Sequence, residues 1–184
     1  NSNPRTLQWA AQLRQQPELA GADANTLAQA VLAHIRSGGY TYTLEPGPYD
    51  GDAIDEFWLD RKLGFCEHFA SAFVVVMRAL DVPARIVTGY QGADAEPQDG
   101  YWIVRQRNAH AWAEIWLAGM GWVRVDPTSA VAPDRIQRGR SLLTAEGRRV
   151  QHQHGHQHQR VVQLLAAQRV HHQLAPREHL LLEE

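Results

Sequence analysis

From Phe65 to Leu80 the apolar residues Phe65, Phe69, Ala72, Phe73, Val76, Met77 and Leu80 recur at intervals of three and four, while Glu67, Ser71 and Arg78 fall elsewhere. This spacing predicts one amphipathic helix over 66–80, stopped at Asp81-Val82-Pro83. Runs rich in Val, Ile, Trp and Tyr follow at 84–90, 101–105, 110–117 and 122–126. Short turns bearing Gly or Pro separate them, such as Pro97-Gln98-Asp99-Gly100 and Ala118-Gly119-Met120-Gly121. A helix with one face to bury, followed by an antiparallel meander that can cover it, makes an α+β domain.

Upstream, residues 5–15 and 24–36 carry helical spacing (Leu7, Ala10, Ala11; Leu27, Ala30, Val31, His34, Ile35), and Gly38-Gly39 stops the second run. Tyr40 to Leu44 reads as extended, with a loop at Pro46-Gly47-Pro48. Asp52 is expected to N-cap a short helix over 53–62, with Asp55 and Glu56 in its first turn and Gly64 ending it.

Composition sets the domain boundary. All six Trp, five Tyr and four Phe lie at or before Trp122, whereas residues 150–184 hold seven of the ten His. The expected division is therefore a globular domain over 1–140 and a His/Gln/Arg-rich tail over 141–184, disordered or frame-shifted. Hydrophobic residues make up 44% of the 184, enough for a core in a domain of this size. A net charge of −2 with no basic stripe argues against a nucleic-acid partner. No apolar run reaches the roughly 18 residues that a bilayer span needs, so a membrane is expected to be met only through flanking segments.

The chain has one cysteine, Cys66, which excludes an internal disulfide and a multi-cysteine zinc site. Cys66 falls in the first turn of the 66–80 helix, where unpaired backbone N–H groups and the helix dipole stabilise a thiolate. It is either a small core residue or a nucleophile. The alternatives separate on His110 and Asp126. With the hairpin turn centred near residue 119, Trp116 lies opposite Trp122, Glu114 opposite Arg124 and Trp112 opposite Asp126. His110 and Asp126 are then diagonal neighbours on one sheet face, and a one-residue slip would separate them. A cysteine at a helix start facing such a pair supplies a nucleophile, a base and the residue that orients the base.

These residues carry a resemblance. Gly64-Phe65-Cys66-Glu67-His68-Phe69-Ala70-Ser71-Ala72-Phe73, Pro83-Ala84-Arg85-Ile86-Val87-Thr88-Gly89-Tyr90, His110-Ala111-Trp112-Ala113-Glu114-Ile115-Trp116 and Gly121-Trp122-Val123-Arg124-Val125-Asp126-Pro127-Thr128 closely resemble four blocks of the transglutaminase-like superfamily, in order and spacing. Within it, the chain is similar to bacterial protein-glutamine gamma-glutamyltransferases whose core domain lies on the periplasmic side of an inner-membrane protein. The resemblance implies a papain-like core, with the cysteine helix packed on an antiparallel sheet. It also implies Cys66 as nucleophile, His110 as general base and acid, Asp126 as the residue orienting His110, and no cofactor. The implied partners are a protein or peptide glutamine donor and a primary amine acceptor. Water as acceptor would give deamidation; a peptide bond as donor would make a thiol protease; a binding domain that keeps the fold without catalysis is the alternative from another class.

Other features have simpler readings. Cys66, Glu67, His68 and His110 as a zinc site is disfavoured because positions i and i+2 of a helix point apart. Asp50, Asp52, Asp55, Glu56 and Asp60 miss the calcium-loop spacing and are explained by helix capping. Trp102, Trp112, Trp116 and Trp122 are expected to pack on the sheet, with a substrate groove as the other reading. Glu114 and Arg124 are expected to form a cross-strand ion pair.

Overall fold

The computed structural model describes residues 2–94 and 96–133. The expected tail over 141–184, with its alternating His and Gln, lies outside them.

Helix α1 spans Pro4–Arg14 and α2 Ala24–Ser37; the carboxylate of Asp23 caps α2 by accepting from the Thr26 amide at 2.7 Å. Strand β1 (Thr41–Tyr42) pairs in parallel with β2 (Leu63–Gly64). Between them a single helical turn α3 (Ala53–Asp55) widens into a π-helical turn over Glu56–Arg61. Helix α4 (Cys66–Ala79) follows, then strands β3 (Ala84–Tyr90), β4 (Ala109–Leu117) and β5 (Gly121–Val125) in one antiparallel sheet of order β3-β4-β5.

Helix α4 is the hub. The expected face is buried, but so are Ala70 and Val74, and only Arg78 is well exposed along the helix. Apolar residues all round a helix are compatible with water only when the helix is wrapped. The sheet covers one side of α4 and helices α1 and α2 pack on it elsewhere. Ala113 and Ile115 of β4 are buried in the same core as Phe69, Phe73, Val76 and Met77. This is the α+β, papain-like arrangement with the cysteine helix laid on an antiparallel sheet.

The acidic cluster caps a helix, but not its own. Asp52 makes no side-chain cap at α3; its Oδ1 accepts from the Asn3 amide at 2.6 Å. Asp55, buried, accepts from the amides of Arg5 (3.0 Å) and Thr6 (2.7 Å) at the open end of α1, and Asn3 Oδ1 returns the favour to the amides of Ile54 and Asp55. Two helix starts some fifty residues apart thus satisfy each other's orphan N–H groups. Burial works against the Asp55 carboxylate, yet the hydrogen bonds from Thr6 and Arg5 hold it below the usual carboxylate range. Asp60 pairs with Arg5, and Glu56 with Arg61.

Gly64 does not end the preceding helix. Lys62, in the left-handed region at φ 57°, closes it by donating to the Phe57 carbonyl, and Gly64 belongs to β2. A Cβ at Gly64 would lie 2.7 Å from the Cβ of His68 and 3.0 Å from the ring of Phe57, so the close approach of β2 to α4 requires glycine.

The run 101–105 is not a strand. It makes one isolated bridge, Gln98 to Tyr101, and leaves Tyr101, Trp102 and Val104 exposed. Strand preference reflects packing on a half-buried surface, and this stretch has none. The loop from 91 to 108 is closed by polar contacts instead: the amide of Asp94 donates to the Ile103 carbonyl at 2.9 Å, and the Asp94 carboxylate pairs with Arg105 and Arg107.

Candidate active site

The β4–β5 pairing sets the site. Trp116 lies opposite Trp122 and Glu114 opposite Arg124, as the hairpin centred near residue 119 predicts, and Gly119 takes φ +78° in the turn. The last recorded pair, Ala113 with Val125, leads directly to Trp112 and Asp126. His110 and Asp126 meet diagonally: His110 Nε2 and Asp126 Oδ2 are 2.7 Å apart, both side chains more than nine-tenths buried. Because the carboxylate can only accept, Nε2 carries the proton, which leaves Nδ1 for Cys66.

Cys66 is the first residue of α4 and is buried. Burial alone would push the His110 imidazolium toward neutrality, but hydrogen bonding to Asp126 and to Cys66, with the charge of each, outweighs it and raises His110 to about 9. The ring is therefore held as an imidazolium at neutral pH, between the Cys66 sulfur and a carboxylate. The structure brings together all three residues that the sequence singled out.

Asp126 is fixed on both oxygens. It precedes a 3-10 turn over Pro127–Ala130, where Oδ1 accepts from the Thr128 amide at 3.2 Å. Oδ2 accepts from His110 and also from Arg124 Nη2 at 3.1 Å.

That second donor overturns one expectation. Glu114 and Arg124 face each other in register, yet Glu114 pairs with Arg85 on β3 at 2.6 Å. Arg85 lies over the ring of Trp122 at 4.1 Å, while Arg124 lies over Trp112 at 4.2 Å and reaches the buried carboxylate. A charge taken out of water attracts a cation more strongly than an exposed one does, so Arg124 goes to Asp126. The signal was present in the sequence as the two-residue spacing of Arg124 and Asp126, which puts both on one strand face.

The tryptophans divide. Trp116 and Trp122 make an edge-to-face pair at 5.6 Å on the sheet surface but stay exposed, at 46% and 40%, whereas Trp112 stacks near His110 at 6.2 Å between ring centroids and is half-buried. Trp102 is off the sheet: it sits on the 91–108 loop, 63% exposed.

His68 lies among aromatic rings at the start of α4, those of Tyr49, Phe57 and Phe65. Its Nδ1 accepts from the Phe65 amide at 3.4 Å. Burial, helped by the charge of Arg61, lowers it to about 4, so the neutral ring serves as an acceptor at the start of α4. Beside the thiol, burial raises the Glu67 carboxyl to about 7. Among the described residues no three of His, Cys, Asp and Glu gather as metal ligands, and no helix is long and apolar enough to cross a membrane.

Comparison with known proteins bears on family and fold. The model of the Transglutaminase-like superfamily matches residues 8–127. The protein-glutamine gamma-glutamyltransferase of Pseudomonas aeruginosa is 42% identical over 139 residues, covering 76% of this chain and 20% of its own length. The uncharacterized Bacillus subtilis protein YebA is 34% identical over 107 residues, covering 54% of this chain and 14% of its own. The chain thus spans a fifth or less of these relatives. Among solved structures, the periplasmic domain of TgpA from Pseudomonas aeruginosa superposes with a TM-score of 0.69 at 41% identity, over 76% of this chain and 47% of that one.

Proposed function

Since this chain belongs to the transglutaminase-like superfamily, we propose that it catalyses cysteine-dependent acyl transfer, from the carboxamide of a protein or peptide glutamine to a primary amine or to water. The observation that carries this reading is His110 held 2.7 Å from Asp126 and hydrogen-bonded to Cys66, the first residue of a helix.

Cys66 attacks the carboxamide carbon of the donor as the thiolate, its proton already resident on His110 Nδ1, and the oxyanion that develops faces the amides of the α4 first turn. As the C–N bond breaks, His110 gives its Nδ1 proton to the departing nitrogen, ammonia leaves and a thioester remains. Asp126 keeps the ring oriented and offsets the charge that the proton brings. An amine, typically a lysine, then attacks the thioester; His110 takes its proton, the C–S bond breaks, and an isopeptide bond results together with the Cys66 thiolate beside the reprotonated His110. With water in place of the amine, the product is glutamate.

We infer that this chemistry takes place on the periplasmic face of a bacterial inner membrane, with attachment through segments outside the chain; the likeness to a periplasmic domain supports the periplasmic part of this reading. The test is incubation with a glutamine-bearing peptide, with and without a primary amine, following adduct mass, ammonia release and chain cleavage together. Amine incorporation with ammonia release that vanishes in Cys66→Ala supports the reading. Cleavage of the chain without incorporation would replace the transferase by a protease.

A further inference from the structure

Arg124 has no role in the steps above, yet it is built into the site by three contacts. Its Nη2 donates to Asp126 Oδ2 at 3.1 Å, the same oxygen that His110 uses at 2.7 Å. That nitrogen also donates to Gln91 Oε1, at 2.6 Å, on the loop that follows β3. Its guanidinium lies 4.2 Å from the centre of the Trp112 ring, and Trp112 in turn fits over Gly89, where a Cβ would come within 2.9 Å of the indole. Gly89 is paired directly with His110 across the β3–β4 ladder. A side chain that were merely a solvated surface arginine would not need a glycine beneath its aromatic support and an amide oxygen to hold its end.

We propose that Arg124 is a positioning residue for the His110–Asp126 pair, clamping Asp126 Oδ2 beside the imidazole and moderating the pull of that carboxylate on the ring. The inference rests on the triad reading above. Two donors on one carboxylate oxygen share its negative charge, so a fixed cation there weakens the grip of Asp126 on the imidazolium while keeping its geometry. Among the titratable and charged groups on the elements around His110, α4 contributes Cys66 and, beside it, Glu67. β3 contributes Arg85, already paired with Glu114, and Tyr90, whose hydroxyl donates to Gln106. β5 and the turn after it contribute Arg124 and Asp126. Of these, Arg124 is the cation in direct contact with the carboxylate that holds the ring.

The prediction is read from alkylation of Cys66, the chain's one cysteine, by iodoacetate. For a thiolate–imidazolium pair the rate against pH is bell-shaped, and its basic limb marks loss of the imidazolium proton. Arg124→Met and Arg124→Gln are expected to move that limb upward by about 0.5 unit, a modest shift because the arginine is half exposed and screened. Arg124→Lys, which keeps the charge, should return the limb to within about 0.2 unit of the parent. A structural role alone would lower the urea midpoint without moving the limb. A basic limb that stays in place or moves down in both neutral variants, or that shifts equally in Arg124→Lys, overturns the proposal and leaves the triad standing. A parent protein with no bell-shaped profile overturns the triad and the proposal together.

Discussion

Replacing Asp126 by Asn keeps the shape of the side chain and removes its charge. In the parent, His110 is raised from 6.5 to about 9 against the opposing effect of burial. About 2.5 units correspond to about 3 kcal/mol of preference for the imidazolium in the folded state. In Asp126→Asn the larger part of that preference is lost: burial still pushes the ring down, the Arg124 cation, no longer neutralised by a carboxylate, acts in the same direction, and only the contact with Cys66 still favours the imidazolium. At pH 7.5 the ring changes from largely protonated to largely neutral, which alone removes about tenfold of the alkylation rate; the wrong tautomer and lost orientation bring the loss of acyl transfer to about 100- to 10,000-fold. The effect on folding has a defined pH window. A raised imidazole stabilises the fold fully below the unfolded value near 6.5, and this contribution is lost as pH rises through about 9. Urea unfolding should therefore find Asp126→Asn weaker than the parent by about 2–3 kcal/mol at pH 6 and nearly level with it at pH 10. Iodoacetate alkylation within threefold of the parent at pH 7.5, together with a stability deficit that does not vary with pH, would refute this account of His110.

Other consequences are read in stability. Asp55→Ala strips the start of α1 of its two side-chain hydrogen bonds and should lower stability at pH 7 by about 1–3 kcal/mol, by urea midpoint. Because the Asp55 carboxylate is held below its ordinary range, the loss should fade as pH falls through its folded value. Glu67 behaves in the opposite sense: burial raises it to about 7, so its charge opposes folding above that pH. Glu67→Gln should stabilise the protein by about 1–2 kcal/mol at pH 8, and the gain should be absent at pH 4.

How far the sequence foretells these arrangements depends on whether a residue's partner is dictated by periodicity. The 66–80 helix and the β4–β5 register follow from spacings of three and four and from strict alternation about a glycine turn, and so does the meeting of His110 with Asp126. Arg124 lies on the same alternation, but the choice between Glu114 and Asp126 turns on which carboxylate is buried, a property of the folded chain. Gln91 reaches Arg124 from a loop, where no period applies. The mutual capping of α1 and α3 joins residues whose separation leaves no local pattern, so Asp52 and Asp55 read as caps of their own helix. Residues 101–105 have strand composition without a surface to lie on, and composition alone does not record that lack.

The most direct measurement on the central claim is intact-mass and peptide-level mass spectrometry of the protein mixed briefly with a glutamine-bearing peptide and quenched in acid. The account predicts an adduct on Cys66 equal to the peptide less ammonia, which disappears on adding a primary amine as the peptide–amine conjugate forms, and which Cys66→Ala never shows. Conjugate or ammonia formed at an undiminished rate by Cys66→Ala, or turnover by the parent with no adduct at Cys66, would contradict it.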